Sequence, residues 1–346
     1  AIVTSNSEFN DSKADGLRSA GREWRVIMKI VILDGFTSNP GDLSWDKLES
    51  LGDLIVYEYT PNQTADVVER LQDCEIALTN KTVITSEIME ACPKLRYIGV
   101  LATGYNVVDM EAAAEHGITV TNVPGYSTQA VAQQAFALLL DICSHAAHHS
   151  KEVHDGRWSR GRDFCFWDYP LIELDHKTAG IIGFGQTGKA IGRVAKAFGM
   201  RVITNGSHET PEGKEIGEYV SRQQLLKESD VIFLACPLNE QTKDLVCKET
   251  IAQMKDGVIL INTSRGGTIV EKDLAEALHS GKVYGAGVDV VSVEPARPDN
   301  PLLTCENCVI TPHIAWATKE ARGRLIEIAS ENVKCFLEGK AQNVVH

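Results

Sequence analysis

No stretch of this 346-residue sequence approaches the roughly 18 consecutive apolar residues needed to cross a bilayer, and its start lacks the basic-then-apolar pattern of a secretory signal. A membrane partner is not expected, and a cytoplasmic location is. Positive charge is also short: the formal net charge is −13, with no Lys/Arg cluster of the kind that follows a phosphate backbone. Nucleic acid is therefore not an expected partner, and a small anion must be held locally, by Arg side chains or by backbone N–H groups at helix starts. The nine cysteines are an odd count at irregular spacing, so a complete disulfide framework is not expected. Cys305 and Cys308 form a C-x-x-C with no second pair, and the motif precedes an expected strand where a redox pair would open a helix. Ordinary thiols are expected there. Nor is there a long disordered tract: with 43% hydrophobic and 23% charged residues the chain sits near the globular average and should fold over most of its length.

At roughly 150 residues per domain the length suggests two domains. Residues 1–27 are polar and without clear period, and are expected to be a leader outside the fold, with Met28 as a candidate start. From Met28 onward short apolar runs at 29–33, 54–57, 76–78, 97–100 and 119–123 alternate with helical patterns at 45–51, 64–71, 86–91 and 108–116. Strand and helix in alternation imply a parallel sheet covered on both faces. Asn122-Val123-Pro124-Gly125 breaks the pattern, and Ser127 is placed to cap a long helix carrying Val131, Ala135, Leu138, Leu139 and Ile142. Six further strands are expected at 178–182, 201–204, 231–235, 258–261, 286–290 and 309–311, in a dinucleotide-binding layout. A last helix, about 319–337, is free to return to the first domain. The expected fold is α/β, two Rossmann-like doubly wound parallel-sheet domains with a cleft between them: a flavodoxin-like substrate domain of residues 28–123 plus about 315–346, and an NAD(P)-binding domain of residues 124–314.

Gly183-Phe184-Gly185-Gln186-Thr187-Gly188 matches G-x-G-x-x-G and gains weight from its context, after an apolar strand and opening an amphipathic helix. Gly183 suits a tight turn, Gly185 close approach to a pyrophosphate, and Gly188 close helix–strand packing. The next strand normally ends in an acid that hydrogen-bonds the adenosine ribose. Here it runs into Asn205-Gly206-Ser207-His208, with no carboxylate before Glu209. The missing acid removes repulsion toward a 2′-phosphate, to which Ser207 or His208 can donate, and tilts the expectation from NAD toward NADP.

Three polar residues follow apolar strands of the second domain, where open parallel sheets bind ligands. Arg265, in Thr263-Ser264-Arg265-Gly266-Gly267, has a planar fork suited to a carboxylate or a 2-keto acid. Glu294 precedes Pro295, which biases it toward extended backbone. His313 lies in Thr311-Pro312-His313-Ile314-Ala315. Reduction of a carbonyl by hydride needs a proton donor and an anchor for the acid group, and a carboxylate beside an imidazole favours its protonated form and fixes its tautomer. In the first domain the Gly-containing strand-to-helix turn Leu101-Ala102-Thr103-Gly104-Tyr105-Asn106 offers N–H groups to an anion. His145, His148 and His149 fall at i, i+3 and i+4 on the long helix, a spacing that suits a metal. No nearby Cys or carboxylate completes such a site, so surface or interface histidines and no metal are expected.

Together these motifs, in this order from Met28 to the C-terminus, resemble the D-isomer-specific 2-hydroxyacid dehydrogenases. Asp163-Phe164-Cys165-Phe166-Trp167-Asp168-Tyr169-Pro170 and Ala315-Trp316-Ala317 look like the glycerate dehydrogenase (hydroxypyruvate reductase) branch. The resemblance implies hydride transfer between NAD(P)H and a small 2-keto or 2-hydroxy acid, hydroxypyruvate/D-glycerate or glyoxylate/glycolate. It implies Arg265 as substrate anchor, His313 as acid/base, Glu294 as its support, and Ala102, Thr103 and Gly104 around the substrate carboxylate. Cofactor contacts are implied at Gly183, Gly185, Gln186, Thr187 and Gly188, at Asn205, Gly206 and Ser207, at Cys236, Pro237 and Thr242, and at Thr263, Ser264, Arg265, Asp289, His313 and Ala315, with Asp289 on the nicotinamide amide. It also implies a homodimer, with the helix after Ser127 at the interface. Formate dehydrogenases of the superfamily carry Gln where Glu294 stands and are disfavoured. A non-enzymatic reading stays open, since corepressors resembling this family use the same fold to sense dinucleotide.

Overall fold

The computed structural model describes residues 28–345, so the expected leader lies outside the described residues. The chain forms two compact units, one running to Tyr126 and resuming at Lys319, the other Ser127–Thr318. The breaks fall a few residues beyond 123 and 314.

The first unit runs β1 (Lys29–Ile32), α1 (Asp46–Glu49), β2 (Asp53–Val56), α2 (Thr64–Leu71), β3 (Ile76–Thr79), α3 (Ser86–Ala91), β4 (Tyr97–Val100), α4 (Met110–Glu115) and β5 (Thr119–Thr121). Its strands lie in the order β2-β1-β3-β4-β5, all parallel, the flavodoxin-like order. β3 and β4 are buried at every position, which is why they read as unbroken apolar runs rather than as alternation. Helix α4 starts at Met110, later than the pattern at 108–116 suggests, because the Asp109 side chain caps it by accepting from Ala112 N at 3.0 Å.

The second unit runs α5 (Thr128–Ser144), α6 (Ala146–His154), β6 (Thr178–Ile182), α7 (Gln186–Ala197), β7 (Arg201–Asn205), α8 (Pro211–Ile216), β8 (Glu218–Tyr219), α9 (Arg222–Glu228), β9 (Val231–Leu234), α10 (Lys248–Ile251), β10 (Val258–Asn262), α11 (Glu271–His279), β11 (Val283–Val288) and β12 (Cys308–Ile310). Seven parallel strands lie in the order β12-β11-β10-β9-β6-β7-β8. The order reverses at β6, which pairs with β7 on one side and β9 on the other. A ligand crevice is expected beyond the carboxyl end of such a strand. The seventh strand, β8, escapes the sequence pattern because two edge residues, one exposed and one half-buried, make no apolar run.

Helix α5 lays Phe136, Leu138, Leu139 and Ile142 on this sheet. β11 makes room for it with glycine: a Cβ on Gly287 would stand 2.7 Å from Leu138 Cβ, and one on Gly285 2.8 Å from Ile142 Cγ2. The long helix does not continue through the histidines. His145 takes a left-handed conformation (φ 46°) and divides α5 from α6, so His145, His148 and His149 lie on the first turn of α6 rather than on the long helix, with the His145 and His148 rings both against Tyr169. No single helix among the described residues is long and apolar enough to cross a membrane, and α5 and α6 together reach that length only as a pair bent by 58°.

Helix α12 (Lys319–Leu337) completes the first unit. Phe336 meets Tyr97 of β4 with ring centroids 4.8 Å apart, and Arg322 grips Asp42 through two bonds of 2.7 and 2.8 Å. Cys305 and Cys308 are both free. Burial raises both thiols, Cys308 to about 12, so neither supplies the thiolate that redox exchange needs.

The helix–sheet contact through β11 sets an expectation for stability. Gly287→Val should cost about 1–3 kcal/mol by overpacking, read as a lower urea midpoint at unchanged slope. An unchanged midpoint would mean that α5 does not press on β11.

Candidate active site

The G-x-G-x-x-G turn sits at the reversal of strand order. Gly183 has φ 91°, and a Cβ there would lie 2.6 Å from Ala235 O and Cys236 N; one on Gly188 would lie 2.1 Å from Gly183 O. Only glycine lets the end of β6, the start of α7 and the strand beside them come this close. Gly185 precedes α7 with no side-chain cap, and a Cβ there would meet nothing within 4 Å. Open space at an uncapped helix start, with Gln186 and Thr187 in its first turn, fits the phosphates of a dinucleotide.

Around this turn the remaining cofactor candidates follow strand ends. Asn205 ends β7 and donates to Val220 O at 3.3 Å, while a Cβ on Gly206 would already be 3.0 Å from Phe184 Cβ. Ser207 and His208 are exposed. Beyond β9, Cys236 is buried, and the Thr242 hydroxyl donates to Pro237 O (2.6 Å) and accepts from Asn239 N (2.9 Å), closing the loop on itself.

Arg265, Glu294 and His313 follow the adjacent strands β10, β11 and β12. A residue that sequence reasoning passed over builds the first of these loops. Asn262, fully buried at the end of β10, accepts from Ser264 N and Oγ (3.0 and 2.8 Å) and donates to Arg265 O and Thr268 Oγ1 (3.0 and 3.2 Å). A polar residue closing an otherwise apolar run was the signal for it. Arg265 itself is exposed, its side chain bonded only to Ser264 O among the described residues. Gly266 lets its loop lie against Val291, to whose carbonyl carbon a Cβ would come within 1.9 Å.

His313 Nδ1 lies 2.6 Å from Glu294 Oε2, with both side chains about one-third exposed. Its Nε2 has no partner among the described residues. Glu294 Oε1 accepts from Val291 N at 3.2 Å, which fixes the carboxylate from behind. The His313 backbone is left-handed (φ 55°), held by N–H donation to Asp289 O at 2.8 Å and by Trp316 Nε1 donating to His313 O at 2.9 Å. Beneath it lies Asp289, 1% exposed: Oδ1 accepts from Thr311 Oγ1 (2.5 Å) and Ile314 N (3.0 Å), and Oδ2 from Ala315 N (2.8 Å). Asp289 therefore clamps the whole segment that carries His313.

In the first unit, Thr103 is tied to Val123 O through its hydroxyl (3.0 Å), and its carbonyl accepts from Asn122 Nδ2 (2.7 Å). The N–H groups of Thr103 and Gly104 have no acceptor among the described residues. The turn does not open a helix directly, since α4 begins only at Met110. Two of the three histidine rings are otherwise engaged, His148 Nε2 with Asp168 at 2.7 Å and His149 Nδ1 with His145 O at 2.9 Å, while the His145 ring stacks on Tyr169 and its buried Nε2 has no partner among the described residues.

Residues 136–315 match the family model of the D-isomer specific 2-hydroxyacid dehydrogenase, NAD binding domain. The chain is 54% identical to a hydroxypyruvate reductase of Blautia hydrogenotrophica over 321 residues, 92% of this chain and 100% of that protein. It is 39% identical to a glycerate dehydrogenase of Methylorubrum extorquens over 289 residues, 83% of this chain and 89% of the other. Among solved structures, a protein of Thermus thermophilus superposes with a TM-score of 0.81 at 33% identity, covering 92% of this chain and 100% of that one.

The clamp beneath His313 can be tested by itself. Asp289→Asn replaces an oxygen that accepts by an N–H₂ that cannot, and should lower stability by about 1–3 kcal/mol in urea unfolding. A variant as stable as the parent would show that these bonds carry no net energy.

Proposed function

This chain belongs to the D-isomer specific 2-hydroxyacid dehydrogenase family, in its glycerate dehydrogenase/hydroxypyruvate reductase branch, and from that premise we propose that it reduces hydroxypyruvate to D-glycerate, with glyoxylate as the second substrate to test. The observation that carries the reading is the 2.6 Å contact between Glu294 and His313 Nδ1, which leaves Nε2 as the ring position able to move a proton.

A bound nicotinamide dinucleotide supplies or accepts the hydride. His313 gives its Nε2 proton to the carbonyl oxygen as that oxygen gains the electron pair of the C=O π bond, and takes the proton back in the oxidation. Glu294 holds the ring in the tautomer with Nδ1–H and stabilises the imidazolium. Arg265 anchors the keto acid, and the N–H groups around Ala102, Thr103 and Gly104 receive its carboxylate. The turn from Gly183 to Gly188 holds the pyrophosphate, and the ends of β7, β9 and β10 hold the rest of the cofactor through Asn205, Gly206 and Ser207, Cys236, Pro237 and Thr242, and Thr263 and Ser264. Asp289, His313 and Ala315 border the nicotinamide. A carboxylate that already accepts three hydrogen bonds from its own loop, on both oxygens, supports a structural part for Asp289 beside any cofactor contact.

The absence of an acid at Gly206 favours NADP(H) over NAD(H), with Ser207 and His208 exposed as donors. A cytoplasmic homodimer with α5 near its interface completes the reading, although much of the apolar side of α5 lies on its own sheet.

His313→Ala should reduce turnover of hydroxypyruvate by about 10²- to 10⁴-fold while NAD(P)H binding, followed by quenching of protein fluorescence, is kept. Parent protein that binds NAD(P)H but leaves its near-ultraviolet absorbance unchanged with every 2-keto acid of a panel would instead indicate a dinucleotide sensor.

A further inference from the structure

At the adenosine end of the second unit stands a cation that no ion pair among the described residues occupies. Arg222, exposed at the start of α9, donates through Nε to Asn205 Oδ1 at 3.5 Å, and Asn205 is the last residue of β7. Its guanidinium therefore lies beside the position where an acidic residue normally meets the ribose hydroxyls in this fold. Four carboxylates of the surrounding segments are already paired with other cations. Glu209, the first carboxylate past Gly206, pairs with Lys214 at 2.7 Å, and Glu212 with Lys189 at 2.7 Å and with Arg193. Glu218 and Glu228 both pair with Arg201, at 2.8 and 2.9 Å. Arg222 pairs with no carboxylate among the described residues.

The same charge is felt at the start of the loop after β9. The Cys236 thiol is pushed up by burial, and this is partly opposed by its own backbone hydrogen bond and by the Arg222 guanidinium. Arg222 thus stands at the end of β7. Position 206 cannot readily hold a side chain of its own, being hemmed by Phe184 Cβ at 3.0 Å and Tyr219 Cε1 at 3.4 Å. The polar character of this corner then comes from Asn205 and from across the strand end.

We infer that Arg222, oriented by Asn205, receives the 2′-phosphate of NADP(H) and is the residue by which this chain selects the phosphorylated cofactor. The inference rests on the dinucleotide reading above and moves the chief donor from Ser207 and His208 to a side chain remote in sequence. A guanidinium matches a phosphate with parallel N–H donors, whereas a ribose hydroxyl uses little of that capacity, so selectivity follows from charge and shape together.

The test compares adenosine 2′,5′-bisphosphate with 5′-AMP, two ligands that differ only in the 2′-phosphate, by calorimetry on the full chain at fixed salt. The parent should bind the bisphosphate about tenfold or more tightly than 5′-AMP. Arg222→Ala should abolish most of that ratio, and Arg222→Lys should keep part of it; circular dichroism checks that both variants are folded. The Kd ratio of NADH to NADPH should fall in parallel. A parent that does not distinguish the two nucleotides, or an Arg222→Ala variant that still does, overturns the assignment to Arg222 while leaving dinucleotide binding standing. Failure of the parent to bind NADH, NADPH or either nucleotide would remove the dinucleotide reading, and this inference with it.

Discussion

The site depends on one buried carboxylate. Asp289 directly follows β11 with both oxygens turned toward the segment 311–315 and takes three donors from it, while its carbonyl accepts the His313 N–H. A carboxylate this deep is tolerable only when its lone pairs are filled, so the loop and the charge require one another. The same bonds hold His313 in a left-handed conformation, which costs a non-glycine residue on the order of 1–3 kcal/mol and persists only where surrounding contacts over-determine it. The ring reaches Glu294 because its backbone has been fixed first.

A similar logic recurs one strand away. Asn262 does with amide chemistry for the Arg265 loop what Asp289 does with charge for the His313 loop. Neither residue need touch a reacting atom to matter. Each satisfies the backbone groups that a strand exposes when it stops, and so turns an abrupt chain ending into a rigid platform. Glu294 is held by Val291 N in the same manner. The three side chains assigned to chemistry and anchoring thus stand on supports supplied by the strands they follow.

Much of this is legible in the residues. Strands buried on both faces announce themselves as apolar runs, and the glycine turn is recognisable because its steric demands leave few alternatives. Family, fold and the Arg265, Glu294 and His313 loops come through together for that reason. Less legible is whatever depends on non-local contact. β8 is too short for a pattern, and the break at His145 comes from one residue's backbone sign, which composition does not reveal. Asp289 reads from sequence only as a cofactor contact, because its loop-clamping bonds reach residues 22 to 26 positions away. Arg222 lies 17 positions from Asn205, and nothing in its own neighbourhood marks it as belonging to that strand end.

The first unit is made from both ends of the chain. Tyr97 lacks the ring of Phe336, and Asp42 the guanidinium of Arg322, until the closing helix has been made. The second unit, by contrast, is one unbroken segment, Ser127–Thr318. On a ribosome the order of synthesis and the order of completion therefore part company: the part begun earlier waits, its β4 face uncovered, while the part begun later already has every strand it needs.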